Sequence, residues 1–539
     1  MKKIWLFFII TSLLILALIL SYPLFTQQND SELIQNTLHY GLTLEASGFD
    51  PHIHSSAELG IVLRQVYDTL IYRHPETSVF TPGLAESWRI STDQRTYEFS
   101  LRQDVHFHDD TPFNAEAVAA NLDRIMSDAA PISQKAKFLL GPLESYEIID
   151  EYVIRFHLSQ PFTPLLDGLS QIYLAMASPT ALAEYSRNRY QFHQVGTGPF
   201  RFIDYLPGDR IILERWADYA WPPAFFSPLA EDVVDQIVFQ FYEDPPTRHI
   251  ALLNGSAHVM GELPPVNAAG LSDHPTIRLY PTNIPGQPLQ FLINTQLAPT
   301  NELAVRKALL HATDRQAIAQ FVYQGFPPVA RGPLARQTLF YDAHAGAEYD
   351  FNPEKAREIL AEAGYRDENN DGVLERDGQT LQLNLVIPNW NHLPEAAQLL
   401  QEQWRAIQIR LILQPVPGYS ALLNRIENND YHLAPFNSFG PDPALLYDYY
   451  HSAGNRNWSR VNNPELDDWL SRAGETSAPD QRRQWYANAQ QAIMREALVL
   501  PLVEFVNLNA ASQRVRGLQF DPYGWFPLLY PVRLLPANT

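Results

Sequence analysis

PGLAESWRISTDQRTYEFSLRQDVHFHDDTPFNAEAVAANLDRIM, Pro82 to Met126, carries three patterns in succession. Tyr97, Phe99 and Leu101 alternate with Glu98, Ser100 and Arg102, the period of a half-buried strand. Gln103 and Asp104 turn the chain and Val105 to His108 alternate again, so the spacing predicts a β-hairpin. Asn114 offers a side-chain oxygen to free backbone N–H groups, and Glu116 sits in the positive first turn of a helix. Val118, Leu122 and Ile125 give that helix one apolar stripe.

The wording is more specific than a hairpin followed by a helix. PGLAESW, then TYEFSLR, then VHFHDDTPFNAEAV resembles the signature region of the peptide- and nickel-binding family of bacterial extracellular solute-binding proteins, family 5. Members capture a solute for an ATP-driven importer. The family wording has Gly where this chain has Asp110, and Asp tolerates turn geometry better than most residues. The resemblance runs from about residue 37 to the C-terminus. It implies an α/β fold of the type II periplasmic-binding-protein kind: two hinged α/β lobes, with an extra subdomain in the first and ligand between them.

A chain of 539 residues exceeds one core, and 46% apolar against 18% charged residues marks it as globular. The formal charge of −21 argues against tracking phosphates and hence against nucleic acid, and its plain reading is solubility. Lys2 and Lys3 precede an uncharged apolar run, Ile4 to Leu20, without a small-x-small pattern before Thr26. Residues 1–25 are expected to be a signal sequence or signal anchor, with 26–36 as a tether. Positive charge inside places the rest in the periplasm, tethered to the inner membrane by residues 4–20 or cleaved and soluble. The absence of Cys excludes disulfides, thiolate metal sites and a thiol nucleophile.

Along the chain, strands are expected at 39–44, 152–158, 235–241, 289–294 and 499–506, and helices at 61–72, 247–253, 303 onward, 353–363 and 481–495. Asn301 is the expected cap of the helix bearing Leu303, Ala304, Ala308 and Leu309. Alternating strands and helices indicate α/β layers. With the resemblance this gives lobe I at 37–81, 189–285 and 507–539, an extra subdomain at 82–188, and lobe II at 286–506.

Several constellations could carry chemistry. Asp367 to Gly372 starts like a calcium loop, but Gly378 stands where a bidentate Glu is needed, so an Asx-type turn is the plainer reading. His106 and His108 share a strand face without a third ligand. Val195 to Phe200 has glycines but neither the following Lys-Ser/Thr nor the GxGxxG spacing of a phosphate loop. No nucleophile elbow, no HExxH and no spaced carboxylate pair is present, so no catalytic residue, resident metal or cofactor is expected and the chain reads as a binding protein rather than an enzyme.

The resemblance supplies the site candidates. Phe49 lies in a turn-rich segment whose family counterpart borders the cleft; a plain turn is the alternative. Pro435 to Pro443 contains Asn437, Phe439 and Asp442. Dipeptide-binding relatives carry an ammonium-binding Asp at the position of Phe439, and a carboxylate-binding Arg where this chain has Asn389 to His392. With both anchors missing, a zwitterionic dipeptide is a poor guest, because an unpaired buried charge is costly. Trp390, Phe439 and Trp458 are candidates to stack on an apolar group, with core packing as the alternative. His451 follows the cleft segment, near where nickel-chelate binders place a metal-binding His. The expected function is the substrate-binding component of an ABC importer, a monomer that captures peptides or peptide-like solutes and delivers them to permease and ATPase subunits. A nickel- or metal-chelate-binding protein, suggested by the APTNELAVRKAL wording, and a membrane-tethered sensory domain are the alternatives.

Overall fold

The computed structural model describes residues 36–127, 134–226 and 232–536. The expected signal or anchor, 1–25, and the tether up to residue 35 lie outside the described residues. Among the described residues no helix is long and apolar enough to cross a membrane.

Two mixed sheets organise the chain. The seven-stranded one runs Ile277–Asn283, Val506–Ser512, Val259–Met260, Thr37–Leu42, Gln236–Phe241, Arg210–Arg215, Phe200–Leu206. The five-stranded one runs Arg410–Val416, Gln382–Pro388, Leu433–Pro435, Leu289–Ile293, Val499–Val503. The chain passes between them twice, at 284–288 and 504–505, and these crossings are tied by Ile284 N donating to the Phe505 carbonyl at 2.9 Å. Gly286 is required in the first crossing: its φ is +114°, and a Cβ there would stand 2.5 Å from the Ser438 carbonyl oxygen.

Strand directions place the crevice. Thr37–Leu42 is parallel to a neighbour on each side, Gln236–Phe241 and Val259–Met260. Val506–Ser512 runs against both Val259–Met260 and Ile277–Asn283. The carboxyl ends of Thr37–Leu42, Gln236–Phe241, Val259–Met260 and Ile277–Asn283, with the amino end of Val506–Ser512, therefore share the end of the sheet where the chain crosses. In the second sheet Leu433–Pro435 and Val499–Val503 run against Leu289–Ile293, while Gln382–Pro388 runs with Leu433–Pro435 and Arg410–Val416. Its four carboxyl ends meet the same crossings. Open α/β sheets bind ligands outside the carboxyl ends of their strands, and here two such rims meet across two short connections.

The signature stretch departs from the expected hairpin. Thr96–Leu101 pairs with Ala85–Ile90 and Val153–Leu158 in a four-stranded antiparallel sheet completed by Leu143–Asp150. Residues 105–108 form only a one-residue bridge, His106 with Pro112. Val105 and Phe107 are buried, so the alternation records a loop pressed on the core; Pro112 has no N–H to extend a ladder. Asn114 caps Ala115–Met126 by accepting from Ala117 N, as expected. Asp110 stands at φ +63°, the left-handed conformation that explains Gly in the family wording.

Other boundaries shift for local reasons. The expected helix 61–72 is Ala57–Leu63 followed by a turn and the strand Ile71–Arg73; the run is buried throughout, so its periodicity carried no signal. Glu302, not Asn301, is the cap residue of Leu303–Ala312, and Leu303 is 39% exposed while Val305, Ala308 and Leu309 face inward. The single strand expected at 499–506 is two, Val499–Val503 and Val506–Ser512, one in each large sheet. The apolar core of the seven-stranded sheet continues through Phe99 and Phe156 of the four-stranded sheet, whereas the five-stranded sheet has its own core around Trp404 and Tyr449.

Candidate functional site

The loops leaving the carboxyl ends are 43–56, 242–244 and 261–264 on the first rim, and 389–392, 417–418 and 436–444 on the second. Five of the seven candidate residues sit on them. Asn437 is on the second rim, its Nδ2 buried without an acceptor. Gln287 and Gln290 are buried and hydrogen-bond with the Tyr450 hydroxyl. Ser438 N donates to Gln287 Oε1 at 3.0 Å, and Gln290 Nε2 donates to the Phe436 carbonyl at 3.2 Å, so these amides line one polar floor under the loop. Phe439 is 38% exposed and spans the seam: its ring centroid lies 4.8 Å from Phe505 in the second crossing and 5.6 Å from Trp525 of the C-terminal segment.

Asp442 is engaged. Arg482 Nη2 and Nη1 donate to its two oxygens at 3.0 and 3.2 Å, and Ala444 N donates to Oδ1 at 2.9 Å. Burial pushes the carboxyl up, but Arg482, Arg73 and the Ala444 N–H more than offset this and hold it below the ordinary range. Arg73 belongs to the first core, where its Nε donates to Asp167 at 2.7 Å and Tyr523 Oη donates to the same oxygen at 2.7 Å. An ionic chain, Asp167–Arg73 facing Asp442–Arg482, thus crosses the seam. Thr163, through N and Oγ1, donates to the Gly474 carbonyl at 3.2 and 3.0 Å and joins the first unit to the second at another point.

The remaining candidates point elsewhere. Phe49 is fully buried, packed edge-on against Tyr205 at 5.0 Å, beside the buried Asp50–Arg124 ion pair. Trp390 is half-buried against the second core. Trp458 is 5% exposed and packs 4.9 Å from Phe436. His451 stacks on Tyr447 at 4.1 Å, with Ser471 Oγ 3.3 Å and Asp467 3.9 Å from its ring nitrogens. The acidic turn at 367–372 closes on itself: Asp367 accepts from Gly372 N, and Glu375 accepts from the N–H groups of Glu368 and Asn369. His106 and His108 pack on Trp216, and His108 Nε2 meets the Gly198 carbonyl. Among the described residues no group of three or more His, Cys, Asp or Glu is placed to hold a metal ion.

Sequence reasoning missed Arg73, Asp167, Thr163, Tyr523 and Trp525. Each reaches the seam from a segment remote in sequence from the second-rim loop, so no local spacing announces it.

The model of the bacterial extracellular solute-binding proteins, family 5, matches residues 79–459. The chain belongs to this family. As a family-5 protein it is 28% identical over 517 residues, 90% of each chain, to the peptide transport periplasmic protein SapA of Salmonella typhimurium. It is 29% identical over 518 residues, 91% of each chain, to heme-binding protein A of Haemophilus influenzae. Its fold matches that of NikA from Brucella suis, solved in complex with Fe(III)-EDTA, at a TM-score of 0.82 and 22% identity, covering 93% of this chain and 100% of that one. Family-5 proteins are solute-binding components of ABC importers; the family expected from the signature stretch and the α/β fold expected with it are both found.

Proposed function

We propose that this chain captures a peptide or peptide-like solute between the two rims in the periplasm and presents it to an ABC permease. The observation that carries the reading is the meeting of two carboxyl-end rims across two short crossings, closed by a few separable contacts. The two crossings act as the hinge, and a solute touching both rims shifts the population towards the closed form. The unpaired amide nitrogen of Asn437 under the second rim suits a peptide carbonyl. Phe439 and Trp525 suit an apolar side chain.

Asp442 is neutralised by Arg482 and no free carboxylate replaces it at Phe439, so a solute with a masked amino terminus is preferred over a free dipeptide. The similarity to SapA supports a peptide. The chelate alternative draws less support, since His451 is held by Tyr447, Ser471 and Asp467. The protein works without bond-making chemistry, as a monomer, with residues 4–20 as membrane tether. Titration of free and N-acetylated peptides by calorimetry tests this: tighter binding of the acetylated series supports the reading, and dipeptide binding that acetylation abolishes overturns it.

A further inference from the structure

On the first rim one carboxylate has few partners. Glu262 lies on the loop 261–264, just past the carboxyl end of Val259–Met260, and Thr43 lies just past that of the neighbouring parallel strand, Thr37–Leu42. The Thr43 hydroxyl donates to Glu262 Oε2 at 3.0 Å, so the carboxylate sits outside two parallel strand ends, where open α/β sheets hold their ligands. Glu262 is held at φ +49°, a left-handed conformation that few side chains adopt. Beside it Gly261 leaves a recess: a Cβ there would stand 3.2 Å from Asn509 Oδ1 and 3.8 Å from the Tyr40 hydroxyl. Asn507, on the same face of its strand as Asn509, is 5% exposed and its Oδ1 is buried with no donor. Leu263 N donates to the Leu508 carbonyl at 2.8 Å, which sets Asn507 at the Glu262 end of the recess.

Donors and charge are both short here. Glu262, Asn507 and Asn509 offer oxygens, and among the described residues Thr43 alone donates to the Glu262 carboxylate. Burial raises that carboxyl above its ordinary range and the Glu58 charge raises it further, while Thr43 and Arg248 offset only part. Arg248 spends Nη1 and Nη2 on the Glu262 and Glu243 carbonyls, at 3.1 and 3.0 Å, and Asp244 draws on its charge as well. The repulsion of Glu58 is thus set against a guanidinium whose donors are in use elsewhere. Water would satisfy the oxygens, but it carries no charge and leaves Glu58 and Glu262 repelling each other. An ammonium brings three donors and a guanidinium five, together with the charge the recess lacks.

We propose that this recess takes the basic side chain of a peptide solute, with Glu262 as the residue that selects it. The inference rests on the reading that a peptide lies between the rims, and it adds a charge class: a peptide masked at its amino terminus that carries a lysine or an arginine. The cation meets Glu262 on the first rim, while Asn437 and Phe439 on the second hold the rest of the solute.

The test is calorimetry on the full chain with two N-acetylated tripeptides that differ only at the central residue, lysine in one and methionine in the other. The expected result is binding of the lysine peptide at least about 10-fold tighter, a preference that Glu262→Gln cuts to within about 2-fold while the methionine peptide keeps its affinity. Equal binding of the two peptides by the wild type, or a preference that survives Glu262→Gln, overturns the proposal and leaves the peptide reading standing. Binding of neither peptide overturns the peptide reading, and the proposal falls with it. Should Glu262→Gln fail to fold, Glu58→Gln removes the second carboxylate and is expected to lower the lysine preference at least about 3-fold; an unchanged preference overturns the proposal.

Discussion

Replacing Arg482 by Met leaves the Asp442 carboxylate buried and without its main partner. Asp442 is 7% and Arg482 8% exposed, and three contacts of 3.0 to 3.2 Å join them. Removing one partner of such a pair costs about 3–5 kcal/mol, because the remaining charge keeps its desolvation penalty. Arg73 lies near enough to offset part of it, which favours the lower end of that range. Adding Asp442→Asn to Arg482→Met removes the stranded charge, so the double variant should recover at least about 2 kcal/mol relative to additivity.

Urea unfolding at pH 7, read as the transition of the second core, measures both. The pH dependence gives a further check on the same pair. Asp442 titrates below its ordinary 3.8, so its contribution is present above that value and lost as pH falls through the lower folded value. The gap between wild type and Arg482→Met should therefore shrink under acid conditions. A single-variant loss under about 1 kcal/mol, or strict additivity, would refute the argument that Asp442 is a structural partner and return it to the list of solute ligands.

His52 is fully buried, its Nε2 on the Ala175 carbonyl and its Nδ1 accepting from Arg124, and burial with the Arg124 charge pulls it down to about 4. The unfolded chain takes the proton first, near 6.5, so stability should fall between pH 6.5 and 4; His52→Gln should flatten that slope by up to about 3 kcal/mol in acid unfolding. Asp110→Gly should raise the unfolding free energy by about 0.5–1 kcal/mol, since the residue already sits at φ +63°. Phe439→Asp places a carboxylate at a 38% exposed seam position and should improve binding of free-amine dipeptides at least about 10-fold relative to their acetylated forms, measured by calorimetry.

How much could be read without the structure follows from how local each signal was. Asn114 with its helix and the signature wording are short-range features, and they led to the right family and fold. Val105 and Phe107 misled because a loop pressed on a core alternates as a strand does. The run from Ile61 to Tyr72 misled because burial on every side erases periodicity. At the site, Asn437 and Phe439 were nominated through the resemblance, as members of the segment Pro435 to Pro443, and not by any local spacing. Asp442 was nominated in the same way as a solute contact, and its ion pair could not be read because Arg482 lies forty residues on. Arg73, Asp167 and Tyr523 come together only through the tertiary fold, and 356 residues separate Asp167 from Tyr523.

The central claim is that two rims close over a solute at the crossings. Native mass spectrometry of freshly purified protein, compared with the Phe439→Asp variant, addresses it directly. The account predicts one peptide-sized mass bound per chain to the wild type, of apolar or amino-masked character, with a different or absent mass on the variant. A wild-type chain that carries no solute and takes up none from a peptide mixture, or one whose bound mass is indifferent to Phe439, would contradict it.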